Sequence, residues 1–118
     1  MTDDGDTIVL FRPVGEKELA LIRAAAFRAF PPRLPEQPIF YPVVHEAYAV
    51  QIARDWNARD GNHGYVTRFR VRKDVLDRYP RRLVGSSIHE EYWIPAEDLS
   101  AFNDAIVGPI EVIAEFQG

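Results

Sequence analysis

The chain has 118 residues, 47% of them hydrophobic and 27% charged, a formal charge of -4 at pH 7 and no cysteine. That length holds one domain, and the missing thiols exclude disulfide frameworks, thiolate zinc sites, iron–sulfur clusters and a cysteine nucleophile. An acidic whole argues against sequence-independent nucleic-acid binding, no apolar run approaches the ~20 residues that span a bilayer, and the acidic opening MTDDGDT is unlike a signal peptide, so a cytoplasmic address is expected.

Residues 1–6 are polar and are expected to be disordered, leaving 7–118 as a single domain. Thr7 to Val14 is β-branched and apolar and stops at Pro13 and Gly15, which predicts a strand. From Glu16 to Phe30 the apolar residues Leu19, Ile22, Ala26 and Phe30 recur at helical spacing, with Glu16 and Glu18 favourable in the first turn. Pro31 and Pro32 end that helix, because proline lacks an amide hydrogen and disfavours a helical residue before it. The stretch PPRLPEQP has four prolines in eight residues and reads as a stiff extended connector.

Ile39 to Val44 reads as a short strand that Pro42 confines to an edge or an irregular position. His45 to Arg59 predicts a second amphipathic helix, with Tyr48, Ile52 and Trp56 on one face and Ala49 and Ala53 beside them. The turn residues Asp60 to Gly64 follow. Tyr65 to Val71 alternates cleanly, placing Tyr65, Thr67, Phe69 and Val71 on one face and Val66, Arg68 and Arg70 on the other. Lys73 to Tyr79 predicts a helical turn stopped by Pro80. After a kink at Gly85, Ser86 and Ser87, His89 to Ile94 predicts a strand. Pro95 suits the first turn of a helix to about Ile106, and Ile110 to Phe116 closes the chain as a strand.

Helices alternate with strands, yet the later connections are short and no glycine-rich phosphate loop follows the first strand. The expectation is therefore an α+β fold: a mixed or split antiparallel sheet with two main helices and a short C-terminal one.

Charge is unevenly spread. Arg68, Arg70, Arg72, Lys73, Arg78, Arg81 and Arg82 form a basic block, and beyond Arg82 there is no lysine or arginine but seven acidic residues. The economical reading is two solvated blocks that pair in the fold; the alternative is a grip on phosphate or pyrophosphate.

Five residues invite chemistry. Arg12 ends an apolar strand, where a guanidinium can hold a phosphate or carboxylate through two parallel hydrogen bonds, or simply reach solvent. Tyr41 lies between proline-stiffened segments and can present its ring to a flat ligand, or be core. In HEEYW, His89 and Glu91 share one strand face and Glu90 takes the other. A carboxylate beside an imidazole and two large aromatics can act as a general base or stabilise a cation, or be a plain surface group. His45, His63 and His89 show no metal-ligand spacing, so no metal is expected.

The segments LFRPVG, FRAFPPRLPEQPIFYPV, YAVQIARDWN, GYVTRFRV, EYWIPAEDLSAFN and IVGPIEVIAEF resemble, over about residues 8 to 117, a family of small bacterial proteins labelled "ADP-ribosylation/crystallin J1". More distantly the layout looks like a reduced ADP-ribosyltransferase fold: a first strand ending in Arg, a strand carrying an aromatic, and a later strand bearing Glu. That resemblance implies NAD as substrate and a catalytic set of Arg12, Tyr41 and Glu91. In it Arg12 contacts the NAD phosphate or ribose, Tyr41 stacks on nicotinamide, and Glu91 holds the ribose hydroxyl or orients the nucleophile. His89 joins Arg12 and Tyr41 as cofactor-binding, and Glu90 replaces Glu91 if the strand register shifts by one. The competing expectation is a non-catalytic interaction module, of immunity, antitoxin or accessory type, for which the acidic C-terminal third and the two tryptophans suit a protein partner.

Overall fold

A computed structural model describes residues 6–83 and 89–117. The expected disorder over residues 1–6, Asp6 excepted, and the kink at Gly85, Ser86 and Ser87 lie outside those residues. The elements in chain order are β1 (Thr7–Gly15), α1 (Glu16–Ala24), β2 (Ile39–Phe40), α2 (Glu46–Ile52), β3 (His63–Arg72), α3 (Lys73–Leu76), β4 (Arg81–Leu83), β5 (Glu90–Tyr92), β6 (Ile94–Pro95), α4 (Leu99–Asp104) and β7 (Ile106–Gln117). A π-helical turn, Ala53–Asn57, continues α2, and short 3-10 turns occupy Arg59–Gly61 and Ala96–Asp98.

The architecture is α+β, and every pairing between described strands is antiparallel, so the mixed-sheet alternative falls. Strand β3, the most regular alternation in the chain, sits centrally between β1 and β7. On the far edge of β1, Val43 exchanges two backbone hydrogen bonds with Phe11, of 2.9 and 2.8 Å. Val43 is in turn bridged to Glu91, so the order extends as β4, β5, Val43, β1, β3, β7. The next hydrogen-bonded pair along β1 would be Pro13 with Tyr41, and Pro13 has no N–H to donate. Pairing therefore stops at Phe11 and the sheet parts there.

Both faces of the sheet carry cores. One packs Leu10, Val14, Phe69 and Val71 against Leu19 and Ile22 of α1, Leu99 and Phe102 of α4, and Phe30 and Phe40. The other packs Val66 and Val43 against Ala49 and Ala53, with Phe11 and Tyr48 at its margin. Alanines in α2 and glycine at position 64 allow that close approach: a Cβ on Gly64 would lie 2.9 Å from the Asn57 Cβ and collide with the Ala53 carbonyl.

Several boundaries differ from the sequence expectations. Helix α1 ends at Ala24 rather than Phe30, because Ala26 and Phe27 turn left-handed at φ 57° and 59°. Such residues strain the backbone, but the turn lets Phe27 accept from Ile110 N at 2.8 Å and sends Phe30 into a ring cluster with Phe40 and Phe69. The helix from His45 loses its α form at Ala53. Ala58 N bonds to Ala53 O at 3.0 Å, an i to i+5 link that widens the turn and swings Trp56 off the Tyr48–Ile52 face, leaving it 66% exposed. The strand foreseen over Ile39–Val44 is two residues plus the Val43 bridge, and β4 was not foreseen. The C-terminal helix is confined to Leu99–Asp104, while β7 begins at Ile106, earlier than expected, with Gly108 at φ 80°. Among the described residues, no helix is long and apolar enough to cross a membrane.

The charge blocks pair in part across the fold. Arg68 meets Glu111 at 3.0 Å and Arg81 meets Glu90 at 3.1 Å, whereas Arg72 and Lys73 pair locally with Asp74 and Asp77.

Candidate functional site

Where β1 and β5 part, a cavity of about 410 Å³ opens, lined by Arg12, Pro13, Tyr41, Val43, Ile52, Asn57, Glu91 and Trp93. Three segments far apart in the chain thus bring Arg12, Tyr41 and Glu91 to one hollow. A larger hollow of about 640 Å³ on β1, β3 and β7 is lined by Val9, Phe11, Glu111 and, from the basic block, Arg68 and Arg70, among others, and holds none of Arg12, Tyr41, His89, Glu90 and Glu91. The smaller one is the chemical candidate.

Arg12 lies on the inward face of β1 with Leu10 and Val14, and is 8% exposed. Its guanidinium sits 4.5 Å from the centre of the Phe40 ring. Nε and Nη2 donate to the two carboxylate oxygens of Glu18 at 2.6 and 3.0 Å. Nη1 reaches the Tyr41 carbonyl at 3.4 Å, the acceptor that Pro13 leaves unpaired. Because α1 starts immediately after β1, Glu18 falls back over the strand end. Its position in the first helical turn was legible; its role as the partner of Arg12 was not.

Glu91 is held from two sides. The Tyr48 hydroxyl donates to Oε2 at 3.0 Å, and Trp93 Nε1, two residues further along the chain, donates to Oε1 at 2.9 Å. Burial, reinforced by the neighbouring Glu91 carboxylate, pushes the Tyr48 phenol up to about 12. Trp93 also meets Tyr41 edge-to-face, with centroids 6.0 Å apart, and Arg82 lies over the indole at 4.8 Å. Tyr41 is 38% exposed, so its ring stands at the mouth.

Glu90 points the other way. It accepts from Arg81 at 3.1 and 3.2 Å and bonds His45 Nε2 at 2.8 Å. The Arg81 hydrogen bonds, and then that of His45, hold its carboxyl below the usual range. Glu91 rather than Glu90 borders the cavity. His89 is not on the cavity lining: it stacks on the Tyr48 ring at 4.4 Å and bonds Gln51 at 2.9 Å.

Asn57, Ile52 and Tyr48 were read from the sequence only as parts of an amphipathic helix. The π-helical turn places Asn57 on the cavity, with a buried Oδ1 that has no hydrogen-bond partner. No sequence periodicity announces an extra residue in a turn, so this could not have been foreseen. Among the described residues no cluster of His, Asp or Glu is arranged to hold a metal ion. The arrangement offers two aromatic rings, apolar walls and one firmly oriented carboxylate, which together suit a flat ring bearing positive charge. No family model, no curated protein and no solved structure matches this chain.

Proposed function

We propose that the cavity receives the nicotinamide–ribose end of NAD or of an ADP-ribose derivative, and that the protein is an ADP-ribosyltransferase-like enzyme passing ADP-ribose to an acceptor. The observation that carries this reading is the convergence of Arg12, Tyr41 and Glu91, with Trp93, on one hollow. A volume of about 410 Å³ lies within the ~300–1,000 Å³ range of small-molecule sites.

In this reading the pyridinium ring lies against Tyr41 and Trp93. As the C1–N bond to nicotinamide breaks, its electron pair leaves with nicotinamide and positive charge grows on the ribose. The Glu91 carboxylate faces that charge, already oriented by Tyr48 and Trp93, so little reorganisation is needed. The acceptor's lone pair then forms the new bond to C1 and its proton departs to water. Arg12, bound to Glu18 and the Tyr41 carbonyl, fixes the position of Tyr41 and the floor of the site.

Melting the protein with and without NAD tests this. A ligand at a hundred times its Kd adds about 2.7 kcal/mol to stability, and Glu91→Gln should abolish release of nicotinamide. Absence of any shift with NAD, NADP or ADP-ribose at millimolar concentration would remove the proposal.

A second reading has its own observation. Trp56, Leu34 and Leu21 are 66%, 55% and 54% exposed, as on an interaction module, and Arg12 already has an internal acidic partner in Glu18. Recovery of one stoichiometric protein partner, with no response to nucleotides, would favour it.

A further inference from the structure

The connector from Pro31 to Pro38 carries a cation that neither the core nor the cavity lining uses. The Arg33 guanidinium lies 5.9 Å from the centre of the Phe40 ring, the same ring that Arg12 covers at 4.5 Å. Two cations therefore share one aromatic ring, and the nearby Glu18 carboxylate is engaged at both oxygens by Arg12. Arg33 forms no ion pair among the described residues, and its Nε is buried without a hydrogen-bond partner. Burial first, and then repulsion from Arg12, lowers its pKa.

A buried charged donor without an acceptor is costly, and like charges in a poorly solvated site add to that cost. Prolines on both sides limit how far the backbone can carry Arg33 away. A bound anion at the outer, Nη end of the guanidinium offsets the repulsion from Arg12. We propose that Arg33 is the grip of an oxyanion subsite beside the Tyr41 mouth of the cavity, taking a phosphate of the dinucleotide through two parallel N–H···O bonds. This rests on the NAD reading for the identity of the ligand, and on the unpartnered guanidinium for the anion itself. The chemistry divides accordingly: Arg12 is held by Glu18, and Arg33 supplies the free fork.

Calorimetric titration at low salt separates the two claims, using NAD, inorganic pyrophosphate and nicotinamide riboside, which lacks phosphate. In Arg33→Gln, affinity for NAD and pyrophosphate should fall at least tenfold while that for nicotinamide riboside stays unchanged. Arg33→Lys should recover part of the loss, as a point charge without the fork. If Arg33→Gln binds NAD and pyrophosphate as tightly as the wild type, the oxyanion subsite is wrong and the NAD reading stands. If the wild type binds pyrophosphate through Arg33 yet ignores NAD and nicotinamide riboside, the subsite stands and the NAD reading falls. No binding of any phosphate-bearing ligand overturns both.

Discussion

Tyr48, on the exposed end of α2, donates its hydroxyl to Oε2 of Glu91 on β5 across 3.0 Å, tying the helix to the carboxylate at the cavity. Hydrogen bonds to charged groups contribute about 1.5–3 kcal/mol. Tyr48→Phe should therefore lower stability by about 1–2 kcal/mol in urea unfolding, the lower range reflecting partial exposure. The same variant should slow any nicotinamide release without matching the loss in Glu91→Gln, because Trp93 still holds the other oxygen.

Alkaline titration reads that contact directly. The folded phenol of Tyr48 is held near 12, against about 10 when unfolded, so the native state keeps its proton after the unfolded chain has lost it. The stabilisation is complete below pH 10 and is lost as pH rises towards 12. Phenolate absorbance should show a late-ionising tyrosine among the five, and Tyr48→Phe should remove that step.

Acid should act through Glu90 with the opposite sign. Its carboxyl is depressed by Arg81 and then by His45, so the unfolded chain binds the proton first as pH falls. The stability this supplies is present above about pH 4.3, the ordinary glutamate value, and declines below it. Glu90→Gln should flatten the acid limb of the melting profile between pH 5 and 3, a difference that calorimetry would register.

Arg12 and Glu18 test how far the site is structural. Breaking a buried pair by removing one member costs about 3–5 kcal/mol, and Glu18 is 21% exposed along its side chain, which places Arg12→Met nearer the lower end. Arg33→Gln should instead leave unliganded stability unchanged or raise it by up to about 1 kcal/mol, since it removes an unpartnered donor and a repulsive neighbour. A large loss at Arg12 and none at Arg33, measured by urea unfolding, would distinguish the held cation from the free one.

Gly64→Ala should be among the most damaging small substitutions, costing about 2–4 kcal/mol, because the new methyl meets the Ala53 carbonyl and a backbone atom cannot rotate aside. Loss of the π-helical turn would also move Asn57, so ligand response should fall with stability in thermal melts.

Much of the framework was legible in the linear order. Alternation over Tyr65 to Val71 marked the central strand, Gly15 followed by Glu16 and Glu18 marked the start of α1, and the proline-bearing segments marked where regular structure breaks. These are local signals, since a repeat of two or 3.6 residues reports which side of an element is buried. It does not report which neighbour does the burying. That Pro13 parts the sheet depends on Tyr41 lying opposite it, and that Arg12 binds Glu18, or Tyr48 binds Glu91, depends on elements meeting across the fold. Trp56 turned outward and Asn57 inward because one widened turn of helix overrode the periodicity. The residue types at the cavity were therefore set by the sequence alone, whereas their division into occupied and free groups was decided by packing, which brings distant side chains within hydrogen-bond reach.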